Sequence, residues 1–122
     1  NYIMYCWTAI PGYSAFGKFV GNGSTTGPFV YTGFQPKYIL VKNSGAIANW
    51  AINDTERDPG NESRRMIMAN SADGEANSGT LYIDFLSNGF KIRTDSAAYN
   101  QDTKTIVYAA FAEHPFKVSR AR

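Results

Sequence analysis

The residues best suited to acid–base chemistry lie together in one polar stretch of the chain. Asp54, Glu56, Asp58 and Glu62 follow one another closely, with Arg57 among them. A pair of carboxylates can hydrolyse a glycosidic bond when one donates a proton and the other acts as nucleophile or base. Carboxylates beside an arginine more often form ion pairs or contact solvent, so we predict no catalysis from this stretch.

Other catalytic and metal chemistries lack the residues they need. A serine hydrolase needs a histidine base, and the single His114 lies near the C-terminal end, where chains are usually exposed. Cys6 is the sole cysteine, which excludes an internal disulfide and a cysteine-based metal cluster. The alternating oxygen ligands of 54–58 could hold Ca²⁺, but the glycine and the distal glutamate of a helix–loop–helix site are missing. We predict a protein that is not an enzyme, has no cofactor and has no metal site, with calcium at 54–58 as the open alternative.

Exposed aromatic side chains could instead stack on sugar rings, while polar neighbours supply directed hydrogen bonds. Aromatic residues that stand beside polar residues at strand edges or in loops are the candidates, together with the charged residues near them. The binding residues that we predict are Trp50, Asp54, Arg57, Tyr82 and Tyr99, with Tyr31 as a further aromatic candidate. The alternative is that these aromatics fill a core or a subunit interface.

Composition limits the partners that this chain can have. A chain of 122 residues forms one domain with one core, and its net charge of +2 is too small to indicate nucleic-acid binding. No apolar run approaches the roughly 20 residues of a membrane helix, so we predict no membrane insertion.

Turn residues divide the chain at intervals typical of an all-β protein, and no window shows a helical period. We predict an antiparallel, jelly-roll-like β-sandwich. Nine short strands are expected, near 2–9, 15–21, 28–33, 37–43, 48–54, 64–70, 80–86, 89–94 and 104–112. The strands at 37–43 and 104–112 are apolar on both faces and should lie centrally, whereas 58–63 and 72–79 should be exposed loops.

The strongest local signal is a hairpin at Asn88-Gly89, because both residues tolerate the positive φ of a type I′ turn. With this loop, the expected pairs are Ser87 with Phe90, Phe85 with Ile92, and Asp84 with Arg93. One face of the hairpin is then entirely apolar and consists of Ile83, Phe85, Phe90 and Ile92.

The two ends of the chain contain similar runs of sequence. The run at 3–7, Ile-Met-Tyr-Cys-Trp, resembles the run at 106–111, Ile-Val-Tyr-Ala-Ala-Phe, and each is followed by a proline and an aromatic residue. Either this likeness is a coincidence, or 1–12 is the closing strand of a preceding similar module. The single sandwich domain is expected over 13–122.

Four segments together resemble a domain family that recurs near the C-termini of bacteriophage tail-fibre and related virion proteins. They are 13–24, 27–42, 83–94 and 108–116, and their order and spacing match over essentially all of 13–117. The resemblance implies tandem modules on the surface of a phage particle, and it implies no catalytic residues. The chain departs from the family's pattern mainly in the loops 44–48, 56–63 and 95–104, where a recognition surface would vary.

The expected function is that of a non-enzymatic tail-fibre module that binds a glycan or protein on the host surface. Repetition along a fibre would convert weak contacts into avidity. The alternative is a structural domain that decorates a capsid or assembles a fibre without binding a receptor. By analogy with other fibres, we expect a homo-oligomer, a trimer by preference, in contact with other virion proteins.

Overall fold

A computed structural model describes residues 1–77, 79 and 81–114. Nine strands and one short helix lie in this part of the chain. They are β1 (Ser14–Val20), β2 (Phe29–Tyr31), β3 (Pro36–Asn43), β4 (Ala51–Asp54), β5 (Arg65–Met68), β6 (Ala76–Asn77), β7 (Ile83–Leu86), β8 (Gly89–Ile92), α1 (Ala97–Asn100) and β9 (Thr105–Ala112). No helix within the described ranges is long and apolar enough to cross a membrane.

The strands form two antiparallel sheets, which confirms the predicted all-β sandwich. The large sheet has six strands in the order β1-β9-β3-β4-β5-β6, and the small sheet has three in the order β2-β8-β7. Strand β9 pairs with β1 on one side and with β3 on the other, so that Ala109 lies opposite both Phe16 and Leu40. The two strands that are apolar on both faces are therefore central, as predicted.

The core lies between the sheets, because alternate side chains of each strand point inward. In the large sheet Ile39, Val41, Ile106 and Ala110 are at most 1% exposed. They belong to one cluster with the apolar face predicted for the hairpin, which is Ile83, Phe85, Phe90 and Ile92. The faces assigned to the hairpin are thus confirmed.

The predicted register of that hairpin is wrong. Its loop is Ser87-Asn88 rather than Asn88-Gly89, and Leu86 pairs with Gly89. The other pairs are Ile83 with Ile92, Asp84 with Lys91, and Phe85 with Phe90. Gly89 is needed inside β8, because a Cβ there would lie 2.1 Å from the carbonyl oxygen of Val30 in β2. The pairing moves by two residues, which leaves every side chain on its predicted face.

Residues 1–9 do not form the strand predicted over 2–9. We call this segment the arm. All nine of its residues are exposed, and it has no strand partner within the described part of the chain. A strand exists only where a neighbouring strand satisfies its backbone groups, and apolar composition alone does not supply that neighbour.

Strand β6 lies in the stretch 72–79 that the sequence predicts to be a loop. It pairs only two residues with β5, which is too short for an alternating pattern to show. Thr80, the first residue of the strand predicted at 80–86, lies outside the described residues. So do Ser78 and the segment 115–122 of the predicted domain.

One buried amide joins α1 to the glycine-rich loop at 21–27. Asn100 is fully buried, and its Nδ2 donates to Asn22 Oδ1 at 2.8 Å and to the Ser24 carbonyl oxygen at 2.7 Å. Its Oδ1 accepts from the backbone N–H of Asn22 at 2.8 Å. The loop is therefore held by the body of the protein and has a structural role.

Candidate functional site

The five predicted binding residues all lie in the described part of the chain, but the structure does not bring them together. Trp50 and Asp54 lie at opposite ends of β4 in the large sheet, with Arg57 in the turn that follows. Tyr82 precedes β7 in the small sheet. Of the five, Asp54 and Arg57 are in contact, with 3.3 Å between Asp54 Oδ2 and Arg57 Nη1.

The prediction that Tyr99 is a surface residue is wrong. Its side chain is 1% exposed, and its hydroxyl donates to Asn53 Oδ1 at 2.6 Å. Asn53 in turn donates its Nδ2 to the carbonyl oxygen of Arg65 at 3.1 Å. Burial raises the pKa of Tyr99 well above its ordinary value, because the phenolate would lose its solvation. Tyr99 therefore connects α1 to the buried side of the large sheet and cannot contact a ligand.

The charged stretch after β4 is a folded loop whose charges are paired. Asp54 Oδ1 accepts from the backbone N–H groups of Glu56 at 3.1 Å and Arg57 at 2.9 Å. Arg57 Nε lies 3.5 Å from one oxygen of Glu75, whose other oxygen lies 3.2 Å from Arg65 Nη1. The described residues contain no group of three or more His, Cys, Asp or Glu side chains that could hold a metal ion. The loop is thus held in place by hydrogen bonds and ion pairs between its own residues and with Glu75.

Tyr82 points away from the core of the sandwich but is only half exposed. Its hydroxyl donates to the carbonyl oxygen of Gly79. The guanidinium carbon of Arg64 lies 4.9 Å from the centre of its ring, a cation–π distance. One face of the ring is therefore covered by the protein's own arginine, which limits its use as a stacking platform.

A cleft of about 970 Å³ opens at one end of the sandwich. Its lining combines the buried rings of Phe34 and Phe85 with polar side chains that include Lys37, Thr55 and Asn61. The Thr55 hydroxyl oxygen is buried and has no hydrogen-bond partner among the residues described. A concave site with an apolar lining and a few polar groups is typical of ligand sites.

Lys37 sits between two carboxylates at this cleft. Its Nζ lies 2.7 Å from Glu56 Oε1 and 3.3 Å from Glu113 Oε2. The hydrogen bond to Glu56 is the main cause that raises the pKa of Lys37. Lys37 and Thr55 could not be predicted from the sequence, because the lining comes from segments far apart in the chain. The one usable signal was the divergent loop 56–63.

The side of the large sheet that faces away from the core carries an apolar patch, which we call the outer face. In an antiparallel sheet with one side in water, these alternate positions are usually polar. Here the middle of that side has half-buried apolar or aromatic residues on four adjacent strands, and the charged residues Lys18, Lys42 and Asp54 lie beside them on the same side. The outer face consists of Phe16, Tyr38, Leu40, Ile52, Val107, Ala109 and Phe111.

Aromatic contacts cross the outer face and continue into the arm. The ring centres of Trp7 and Phe16 are 5.9 Å apart in a stacked arrangement. Phe16 meets Phe111 at 5.6 Å, and Phe111 meets Tyr38 at 5.8 Å, both edge to face. Trp7 is therefore the point at which the arm contacts the sheet by an aromatic stack.

Beyond Trp7 the arm lies above the outer face without burying its side chains. Tyr5 is 74% exposed, Ile3 and Met4 are 83% exposed, and Tyr2 is fully exposed. A groove of about 410 Å³ lies between the arm and the outer face, and Trp50 lines it. None of the described residues that line this groove carries a charged or amide group. Trp50 thus belongs to an apolar groove that offers little for the directional recognition of a sugar.

Comparison with protein families identifies the family of the chain. Residues 1–115 match the model of a domain of unknown function, DUF7483. The chain belongs to this family. The DUF7483 match begins at residue 1 and so includes the arm together with the sandwich. No curated protein and no solved structure matches the chain.

Proposed function

We propose that this DUF7483 domain is a non-enzymatic structural module of a phage virion fibre, and that it self-associates through its outer face. The observation that supports this is the apolar character of the outer face, where water-exposed sheets usually carry polar side chains. Contiguous exposed apolar patches on a folded domain mark interaction sites. Large apolar interfaces are characteristic of permanent assemblies, which suits a fibre.

The location on a phage particle rests on the resemblance of 13–117 to tail-fibre domains. Fibres are built from repeated copies, so a homo-oligomer, first of all a trimer, beside other virion proteins is the assembly that we expect. The absence of catalysis is supported by the loop after β4. There Asp54 accepts hydrogen bonds from two backbone N–H groups and pairs with Arg57, which leaves it poorly placed to act as an acid or base.

The test is the mass of the native assembly in solution, measured by light scattering for the parent and two matched variants. Leu40→Lys places a charge on the outer face, and Leu86→Lys places the same charge on the outward side of the small sheet. We expect the parent and Leu86→Lys to have a multiple of the 13.5 kDa chain mass and Leu40→Lys to be monomeric. A parent that stays monomeric at its highest soluble concentration would overturn the proposal.

A second candidate function, recognition of a glycan on the host surface, is favoured by the cleft at the end of the sandwich. The buried Thr55 hydroxyl without a partner is a group that a sugar hydroxyl could satisfy. The remaining N–H groups of Lys37 and Asn61 are further donors, because Lys37 pairs with Glu56 and Glu113 and one N–H of the Asn61 amide donates to the Phe85 carbonyl oxygen. The rings of Phe34 and Phe85 supply the apolar part of such a site.

This candidate is tested by screening the parent against a panel of bacterial surface polysaccharides. Thr55→Val keeps the shape of the side chain and removes its hydroxyl, and Thr105→Val in β9 is the matched control. We expect Thr55→Val alone to weaken binding, by about tenfold for one lost hydrogen bond. Binding that survives Thr55→Val but is lost in Trp50→Ala or Tyr82→Ala would show that the aromatic residues predicted from the sequence, and not the cleft, form the binding site.

A further inference from the structure

We propose that the arm of each copy binds the outer face of a second copy of this chain, so that neighbouring copies hold one another by exchanged arms. The inference rests on the proposed function, because it names the partner of the same outer face. Three observations support it. The side chains of the arm are largely exposed, the arm leaves the domain at the edge of the large sheet, and each chain carries one apolar arm and one apolar outer face.

The arm is not satisfied by its own domain. Apart from the stack of Trp7 on Phe16, its large apolar side chains are largely exposed, although they lie beside an apolar groove. No backbone N–H of residues 1–9 donates to the backbone of a described residue, and the arm's hydrogen bond to its own domain is the one that the Thr8 carbonyl oxygen accepts from the Ser14 hydroxyl at 3.3 Å. Two apolar surfaces of one chain thus lie close together, while the side chains of the arm stay largely exposed.

The arm leaves the domain at a fixed point on the edge of the large sheet. The backbone N–H of Ser14 donates to the Ile10 carbonyl oxygen at 2.9 Å, and the Ser14 hydroxyl accepts from the backbone N–H of Ile10 at 3.0 Å. Gly12, in the turn between them, has a φ of 77°, a conformation that favours glycine. Since β1 is one of the two edge strands of this sheet, the arm starts where a neighbouring copy could receive it.

A second copy is the simplest occupant because each chain carries one arm and one outer face. Two copies can exchange arms reciprocally, and three can pass them around a ring, so that no arm and no face is left over. Three buried aromatic side chains contribute roughly 150–250 Å² each. With an equal area on the receiving face, one arm contact buries roughly 900–1,500 Å², which overlaps the lower end of the range of standard protein interfaces. A foreign partner would have to cover both surfaces at once.

The sequence similarity between the arm and β9 is consistent with this arrangement. The run 3–7 has the residue pattern of a strand in this sandwich, yet it has no partner in its own domain. An extended apolar segment that has no strand partner in its own domain is the kind of element that copies of a protein exchange.

The experiment is a mixing test with full-length chains in reducing buffer, read out by native mass spectrometry. The arm variant carries Tyr5→Ser and Trp7→Ser and keeps an intact outer face. The face variant carries Leu40→Lys and keeps an intact arm. Tyr31→Ser, which changes an exposed aromatic residue of the small sheet, is the control and should assemble like the parent. Circular dichroism checks that each variant is folded.

If arms are exchanged, each variant alone should associate about 100-fold more weakly than the parent, as expected for the loss of buried aromatic anchors. A mixture of the two should form mixed assemblies, because the arms of one variant find the intact faces of the other. An arm variant that assembles like the parent, or a mixture without mixed assemblies, would overturn arm exchange and leave the outer face as the interface. A monomeric parent would overturn both proposals.

Discussion

Both sides of the large sheet carry a set of neighbouring apolar residues, but only the set on the inner side is covered by the small sheet. Ile39 and Leu40 are adjacent in β3; Ile39 is fully buried against the small sheet, and Leu40 lies half-buried on the outer face. The outward side of the small sheet is more mixed, because the charged residues Asp84 and Lys91 lie there beside the exposed rings of Phe29 and Tyr31. The comparison teaches that apolar composition identifies a central strand, while the partner of each side has to be established separately.

The strongest test of this comparison is a matched pair of substitutions in β3. Ile39→Ala leaves a cavity in the core and should lower the free energy of unfolding by about 2–5 kcal/mol. Leu40→Ala removes the same number of carbon atoms from a half-exposed site and should cost less than about 1.5 kcal/mol in the isolated chain. Urea denaturation at a protein concentration low enough to separate the copies measures both values. Equal losses would show that the outer face is covered within the single chain.

The next largest effect is expected for the polar contact on the buried side. Tyr99→Phe removes the hydroxyl that donates to Asn53 Oδ1. Since a buried acceptor is then left without this partner, we expect a loss of about 1–3 kcal/mol, measured by the same urea denaturation. No change on substitution would mean that water replaces the phenol at this place.

The same pair of proteins should differ in their response to high pH. Burial raises the pKa of Tyr99 in the folded state above its ordinary value of 10.0. Below that value the phenol is protonated in both states, and its contribution to stability is fully present. As the pH rises further, the unfolded chain loses the proton first, so the free energy of unfolding falls. We expect this alkaline fall to be smaller in Tyr99→Phe when both are measured from pH 8 to pH 11.

The smallest effect is expected for an ion pair on the outward side of the small sheet. Arg93 Nε lies 3.4 Å from Asp84 Oδ2 in a partly exposed ion pair. Arg93→Ala should lower the free energy of unfolding by less than about 1 kcal/mol, and added salt should reduce the difference. A loss as large as that of Ile39→Ala would show that charge pairing is as important as the core.

The fold could be predicted where local pattern and tertiary contacts agree. The apolar runs that became β3 and β9 identified the centre of the large sheet, and alternation identified the buried face of the β7–β8 hairpin. The register failed at Gly89, because the pattern of the hairpin contains no information about the close approach of β2. The strand prediction for the arm failed for a related reason, since its strand-like sequence has no strand partner within the described part of the chain.

The candidate site was harder to predict, because exposure depends on packing that residue type does not reveal. Tyr99 stands beside Asn100 in a polar stretch, yet both are buried through hydrogen bonds to distant segments. Trp50 is exposed as expected, but it lies in an apolar groove rather than beside sugar-binding groups. Asp54 and Arg57 meet because they are three residues apart in one turn.

Cys6 makes the arm accessible to spectroscopy without any mutation. It is the only thiol of the chain and it is exposed, so a thiol-reactive dye attaches at one position in the middle of the arm. The emission of an environment-sensitive dye there reports directly whether water or protein surrounds the arm. The same thiol joins two chains covalently when it is oxidised, so that in air a linked pair would form whether or not the faces pack.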